Sequence, residues 1–285
     1  MPLVGTREML YRAMEERYAV GAFNVSCLDL VRPIVEAAEA ERAPVILQMA
    51  PAQIDFMSLH LAAATARAAA EAARVPVAVH LDHGDTYARN VACLRAGFTS
   101  LMFDGSSLPY EDNVRITRQI VEMAHAVGIG VEAELGSVLR IANNPTEDDI
   151  AASLTDPTQA KAFVEETGAD FLAVAVGTVH NMIKRSARID LARIRAIRDQ
   201  AKRPLVIHGG SGIPHEVIAE AVAGGICKFN VATELIKQLR LEMEKAYAER
   251  PTELNPRVLM PPALAVVRET TAEKIRLFGS SGKAF

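Results

Sequence analysis

The sequence predicts an α/β protein, a (β/α)8 TIM barrel with an extra N-terminal helix and a C-terminal helical tail, and two observations carry that expectation. The first is a set of eight short, continuously apolar runs at 19–25, 44–49, 75–81, 99–103, 128–133, 170–176, 204–207 and 226–231. Runs that do not alternate with polar residues belong to strands covered on both faces. The second is what lies between them: stretches with apolar residues at i, i+3 and i+4, the signature of helices that carry the chain back for parallel pairing. A doubly wound open sheet has the same alternation, and the count of eight favours the closed barrel.

Taken in order, the chain begins with a helix at 5–17, where Met9, Leu10, Ala13 and Met14 recur at helical spacing. Helices follow the successive strands at 29–42, 55–73, 86–95, 110–126, 157–167, 190–200, 214–223 and 233–248. The stretch 137–156, SVLRIANNPTEDDIAASLTD, has little periodicity and reads as a mobile loop over the site, the usual role of a loop this long. A tail from about 250 to 285 carries prolines at 251, 256, 261 and 262 and then a helical stretch at 263–277, expected to pack across the barrel or against a second subunit. No Pro/Gly/Ser-rich linker divides the chain, so 1–285 reads as one barrel domain.

Composition narrows the function classes. The 285 residues are 50% hydrophobic and 23% charged, with 31 basic against 35 acidic side chains and a net charge of -4. Such a balance offers no basic face for nucleic acid or an anionic membrane. Cys27, Cys93 and Cys227 are odd in number and widely spaced, which suggests neither a disulfide framework nor a thiolate metal cluster. With no basic segment followed by an apolar run at the N-terminus and no apolar stretch of about 18 residues, a cytoplasmic protein is expected.

In a barrel, chemistry sits where the strands end. The third run ends in His80-Leu81-Asp82-His83-Gly84, the sixth leads to Gly177-Thr178-Val179-His180, the seventh to His208-Gly209-Gly210-Ser211-Gly212, and the eighth to Asn230-Val231-Ala232-Thr233. His83, His180 and His208 therefore converge on one rim, and three imidazoles with a position left open are the ligand set of a catalytic Zn²⁺ or similar divalent ion. His60, His125 and His215 fall on helices or their starts, and His80 precedes the rim as a packed or supporting residue. Asp82 adjoins His83 and is placed for proton transfer, or else for orienting a metal-bound histidine. Asp104 and Glu134 end the fourth and fifth strands as alternative metal ligands or their supports, whereas Glu132 reads as structural. The turn Gly209-Gly210-Ser211-Gly212 and the segment Asn230 to Thr233 both precede helices, and helix N-termini after the seventh and eighth strands are where barrels bind phosphate. A metal, a carboxylate and a phosphate pocket allow either enolate chemistry or metal-assisted hydrolysis.

These segments resemble the class II, zinc-dependent fructose-bisphosphate and tagatose-bisphosphate aldolases over essentially the whole chain. The resemblance runs through Gly21-Ala22-Phe23-Asn24-Val25, HLDHG at 80–84, Met102 to Ser106, VEAELG at 131–136, Thr155-Asp156-Pro157, LAVAVGTVH at 172–180, HGGSG at 208–212, KFNVATEL at 228–235 and Arg276 to Ser280. It implies Zn²⁺ on His83, His180 and His208, with Glu134 and Asp104 near a second cation position, divalent or monovalent. It implies a phosphorylated sugar whose dihydroxyacetone phosphate half is bound by Gly209, Gly210, Ser211, Asn230, Val231, Ala232 and Thr233. Asn24 lies near the substrate, Asp82 moves the proton of the C4 hydroxyl, and the backbone of Asn181 and the side chain of Arg257 match phosphate-binding positions. The implied reaction is a reversible retro-aldol cleavage within carbohydrate metabolism, glycolysis included, in a homodimer or homotetramer.

The chain also departs from the family pattern. Leu139-Arg140-Ile141-Ala142-Asn143 replaces a Gly-Gly-x-Glu-Asp loop motif, so an acid is missing at Ala142, and the nearby Glu147, Asp148 and Asp149 read as a solvated run. His180-Asn181-Met182-Ile183 replaces His-Gly-x-Tyr, Asn255-Pro256-Arg257 replaces Asp-Pro-Arg, and Ala50 stands where a serine is expected. A metal-dependent phosphosugar hydrolase or isomerase, and a non-catalytic phosphosugar-binding homologue, are the alternative readings.

Overall fold

The computed structural model describes residues 2–139, 141–180 and 187–285. Its eight strands are β1 (Val20–Asn24), β2 (Val45–Met49), β3 (Val77–Leu81), β4 (Ser100–Phe103), β5 (Gly130–Leu135), β6 (Phe171–Val174), β7 (Leu205–Ile207) and β8 (Ile226–Val231). All pair in parallel in sequence order and close into a barrel, β8 returning to β1 through Val20↔Lys228 and Ala22↔Asn230. Every residue of every strand is buried, as continuously apolar runs require.

Around the barrel lie α1 (Thr6–Glu16), α2 (Val31–Glu41), α3 (Pro51–Met57), α4 (Leu59–Ala72), α5 (Tyr87–Ala96), α6 (Tyr110–His125), α7 (Glu147–Ser153), α8 (Pro157–Thr167), α9 (Leu191–Ala201), α10 (His215–Gly224), α11 (Thr233–Glu249) and α12 (Pro256–Leu277). Local chemistry sets several of the ends. Asp156 accepts from the N–H groups of Thr158 and Gln159 and is followed by Pro157 at the first helical position, while Gly168 closes α8 in the left-handed region at φ 73.

The side-chain alternation of the strands decides what the barrel contains. Ala22, Ile46, Ala78, Met102, Ala173 and Val206 point inward and join Met9, Leu10 and Ala13 of α1 in one apolar cluster at the amino end of the barrel. Two residues further along β1, β2, β3 and β7 the inward positions become Asn24, Gln48, His80 and His208, and β5 adds Glu132, all buried. The outward set, including Phe23, Leu47, Val79, Phe103, Leu172, Ile207 and Phe229, packs under the helices. An apolar floor therefore carries a polar layer at the carboxyl end of the barrel.

Three sequence expectations need correction. The helix expected over 55–73 is two, because Ser58, at φ 68, breaks the chain between α3 and α4. The segment 137–156 is not irregular throughout. It contains α7, started by Thr146 and Asp149, whose side chains reciprocally cap each other's backbone N–H groups, and it is tied back through Ser137 N–H to the Ser153 carbonyl. The tail does not cross the barrel. Helix α12 starts at Pro256, capped by Asn255, and runs outside the barrel against α11 and α2, with Pro261 and Pro262 exposed within it.

Phe278, just past α12, stacks on Phe229 with ring centroids 4.6 Å apart and is 2% exposed, and its carbonyl accepts from the N–H of Ala19. It fastens the tail to β8 and to the start of β1. Phe278→Ala is expected to cost about 3–5 kcal/mol, read as a lowered midpoint in chemical denaturation, and a change below about 1 kcal/mol would show that the stack contributes little.

Candidate active site

The carboxyl ends of the strands surround a cleft of about 620 Å³. Its lining includes Asn24, Asp82, His83, Asp104, His180, Gly209, Ser211, Asn230, Ala232 and Thr233. Ten of the residues singled out from the sequence are thus brought to one surface. Glu134 lies behind it, 1% exposed, and Gly210 is buried within the turn. Val231 points the other way, into the outer core, so only its backbone is available to a ligand. Asn181 lies outside the described residues. Arg257 is not at the cleft: it is exposed in the first turn of α12, with its Nε 3.4 Å from Asn255 Oδ1. Glu147 to Asp149 are likewise exposed on α7, away from the lining.

The three histidines meet edge to face. Ring centroids are 4.5 Å apart for His83 and His208, 5.0 Å for His83 and His180, and 5.8 Å for His180 and His208. One ligand atom from each lies within 4.8 Å of the others. Two of the rings have their far nitrogens held by carboxylates: Asp104 Oδ2 is 2.7 Å from His83 Nδ1, and Glu132 Oε1 is 2.9 Å from His208 Nε2. That leaves His83 Nε2 and His208 Nδ1 turned to the same place, 2.9 Å apart. His180 is placed by the hydrogen bond from its N–H to the carbonyl of Leu139, which ties the end of β6 to the loop after β5.

These residues fit a divalent cation on two grounds. The donor set, three imidazoles with carboxylates behind them, is the chemistry that binds Zn²⁺ and similar ions and orients its ligands. In addition, Glu134 Oε2 is buried with no hydrogen-bond partner, 3.6 Å from His208 Nδ1, so a buried acceptor faces the shared point. His83, Asp104 and Glu134 form a second group with ligand atoms within 4.8 Å of one another, matching the expected second cation position.

Asp82 sits beside the histidines, 4% exposed, with each carboxylate oxygen engaged. Oδ2 accepts from Asn24 Nδ2 at 2.8 Å and, at 3.4 Å, from Gln48 Nε2; Oδ1 accepts from Asn230 Nδ2 at 3.0 Å. Gln48 also donates to Asn24 Oδ1 at 2.7 Å, and Asn24 Nδ2 lies 3.2 Å from Gln53 Oε1. On the opposite wall, Gly209 adopts φ 71, and a Cβ at Gly210 would meet the Asn230 carbonyl oxygen at 2.7 Å, so this turn accepts only glycine at close quarters. Ser211 Oγ accepts from the N–H of Glu234 at 3.3 Å, joining the turn to the start of α11.

The fructose-bisphosphate aldolase class-II family model matches residues 4–283. The chain belongs to that family. It is 40% identical over 290 residues to a fructose-bisphosphate aldolase of Geobacillus stearothermophilus, covering 100% of this chain and 99% of that protein. It is 39% identical over 305 residues to the fructose-bisphosphate aldolase of Thermus caldophilus, covering 99% of this chain and 100% of that protein. Among solved structures, the YdjI aldolase from Escherichia coli K12 superposes with a TM-score of 0.86 at 34% identity, covering 99% of this chain and 100% of that one. Class II aldolases are metal-dependent, which agrees with the histidine cluster. Among the described residues no helix is long and apolar enough to cross a membrane.

The electrostatics of this class II aldolase site are set by burial and by crowded carboxylates. Burial and the nearby Asp104 push Glu134 up to about 8. Burial opposes a charge on His83, yet Asp82, Asp104 and Glu134 together raise it to about 9. Burial would raise Asp82, but His83, His208, Lys228 and the Asn24 hydrogen bond hold it below the usual carboxylate range. Asp104 is likewise lowered against its burial, by the His83 and Ser106 hydrogen bonds. His208 and His80 are buried and held neutral, well below an ordinary histidine.

Sequence reasoning missed Gln48, Gln53 and Lys228 and read Glu132 only as structural. A usable signal was present: Gln48 pairs with Asn24 in the β1–β2 register, while Glu132 and Lys228 precede Glu134 and Asn230 by two, on the same face of their strands. His80 and His125, expected to be structural, are bonded to Ser100 Oγ at 2.7 Å and to Asp170 Oδ2 at 2.8 Å.

His180→Ala is expected to lose bound zinc and activity together, and Asp82→Ala to keep zinc while losing cleavage by about 10²–10⁴-fold. Metal analysis and steady-state rates check both; full turnover by Asp82→Ala would remove its role in proton transfer. Glu132→Gln should weaken zinc binding by about 10–100-fold, measured by competition with a chromogenic chelator.

Proposed function

We propose that this class II aldolase catalyses the reversible retro-aldol cleavage of a ketose 1,6-bisphosphate of the fructose or tagatose type, or of a ketose 1-phosphate, to dihydroxyacetone phosphate and an aldehyde such as glyceraldehyde 3-phosphate. The observation that carries the reading is a buried Asp82 beside the three-histidine cluster, in one cleft with the glycine turn that follows β7. Each has a defined task in carbon–carbon cleavage beside a phosphate.

The 1-phosphate is received by the N–H groups of Gly209 to Ser211 and by the start of α11 at Ala232 and Thr233. Helix N-termini and glycine turns present unpaired N–H groups and a positive dipole end to such an anion. His83, His180 and His208 would hold Zn²⁺, which when bound polarises the substrate carbonyl and offsets the negative charge that develops as C3–C4 breaks. Asp82 takes the proton of the C4 hydroxyl, and Asn24 and Asn230 hold its two oxygens so that the carboxylate meets that hydroxyl in one orientation. Gly209 and Gly210 keep the phosphate wall close to the histidines.

The far wall consists of Ala50, Pro51, Ala52, Gln53, Asp85, Ser106 and Ser107. Among the described residues no lysine or arginine lines the cleft; Arg89, near Asp85, is clamped by Asp55 at 2.6 and 3.1 Å. A second phosphate at this end gains no ion pair from these residues. The protein is expected to work as one barrel domain over 1–285, in the cytoplasm. The exposed apolar side chains Leu241 and Tyr247 of α11 and Leu254 beside it support a homodimer or homotetramer.

The decisive measurement is release of dihydroxyacetone phosphate from a panel of ketose phosphates, each with Zn²⁺ and with chelator. Zinc-dependent release from at least one is expected, and its absence throughout would overturn the assignment in favour of hydrolase, isomerase or binding roles. Fructose 1-phosphate should reach a kcat/KM within about tenfold of that for fructose 1,6-bisphosphate, since the described far wall adds no charge-assisted contact. A preference above 10³-fold for the bisphosphate would place a phosphate-binding cation at that end.

A further inference from the structure

Lys228 lies on β8 in the centre of the barrel, 0% exposed, where an unpaired ammonium would be strongly disfavoured. Its Nζ is 2.9 Å from Glu132 Oε2 and donates to Asn230 Oδ1 at 2.8 Å. The first contact reaches the carboxylate that holds His208 Nε2. The second reaches the amide that donates to Asp82 Oδ1. An ammonium donates and never accepts, so it takes the oxygen end of the Asn230 side chain and turns the NH2 end toward Asp82. On the other side of the carboxylate, Gln48 does the same for Asn24 through its 2.7 Å bond to Asn24 Oδ1.

We infer that Lys228 is a positioning residue for the cleavage step: by fixing the amide orientation of Asn230 it holds Asp82 in the geometry that takes the C4 hydroxyl proton. The inference rests on the aldolase reading above. Without the ammonium, the Asn230 amide is free to turn its oxygen to Asp82, which replaces a hydrogen bond by a repulsion and lets the carboxylate swing. The phosphate group itself is received by backbone N–H groups of the glycine turn and the start of α11, which this side-chain contact does not involve, so the effect falls mainly on kcat.

The test uses the zinc-loaded full chain and six variants. Lys228→Met is expected to lower kcat for cleavage by about 10²-fold, while the dissociation constant for dihydroxyacetone phosphate, measured by calorimetry, stays within about threefold. In an Asn230→Ala background, Lys228→Met should add no more than about twofold, because both act through the same contact. Should Lys228→Met fail to fold, Lys228→Arg and Lys228→Gln make the same comparison. Arginine, donor only, should keep kcat within about tenfold, and glutamine, which can also accept, should lose it. Unchanged kcat in Lys228→Met, multiplying losses in the double variant, equal kcat in the arginine and glutamine variants, or recovery of Lys228→Met by excess zinc would each overturn the inference. The last would move the role of Lys228 to Glu132 and the metal. Asp82→Asn separates this from failure of the parent reading: if that variant cleaves normally, the role of Asp82 itself is wrong.

Discussion

A closed eight-stranded barrel has one interior, and alternate residues of all eight strands must share it. Everything distinctive about this protein follows from how that space is divided. The lower part is filled by Ala22, Ile46, Ala78, Met102, Ala173 and Val206 against α1, and the upper part by amides, carboxylates, imidazoles and one lysine. Polar groups so placed have no water to fall back on, so each must find its partner within the barrel or in a ligand. The result is an ion pair from Glu132 to Lys228 continued by hydrogen bonds through Asn230 to Asp82 and on to Asn24 and Gln48. It surrounds the Asp82 carboxylate with neutral donors backed by one buried cation, while leaving His83 and His208 carboxylates of their own.

That division of labour also explains the electrostatics. Asp82 is surrounded by donors and held below the usual carboxylate range by the nearby imidazoles and Lys228; Glu134, buried beside Asp104 and with an oxygen that no hydrogen bond among the described residues satisfies, is pushed up. A site with this many buried carboxylates beside three imidazoles is suited to a cation in a way that a single cluster residue could not show. The wall proposed to receive phosphate is built differently, from a glycine turn and a helix start, so what it offers is mainly main-chain geometry.

Much of this was legible along the chain. The eight apolar runs marked the strands, most to within a residue or two of their ends, and the histidines at strand ends marked the cluster, because burial on both faces and active sites at carboxyl ends are properties that one strand already displays. What went unread has an equally physical reason. Arg257 matches a family position although Asn255 beside it departs from the motif, and its backbone belongs to α12, whose first turn the tail packing holds away from the cleft. The helix over 147–153 is too short for periodicity to register, and its evidence is a capping box within an otherwise polar run.

The sequence by itself determined the alternation of strands and helices, the inward and outward faces of each strand, and the identity of the residues at the strand ends, because these depend on short-range periodicity and chemistry. Only the tertiary structure decided which of those residues meet. Lys228 and Glu132 are 96 positions apart and Asn24 and Asp82 are 58 apart, yet each pair is within 3 Å. Such pairings arise from barrel closure and from the stagger between strands, which bring one inward layer from β1, β3, β5 and β8 to a common height, and no local segment carries that information.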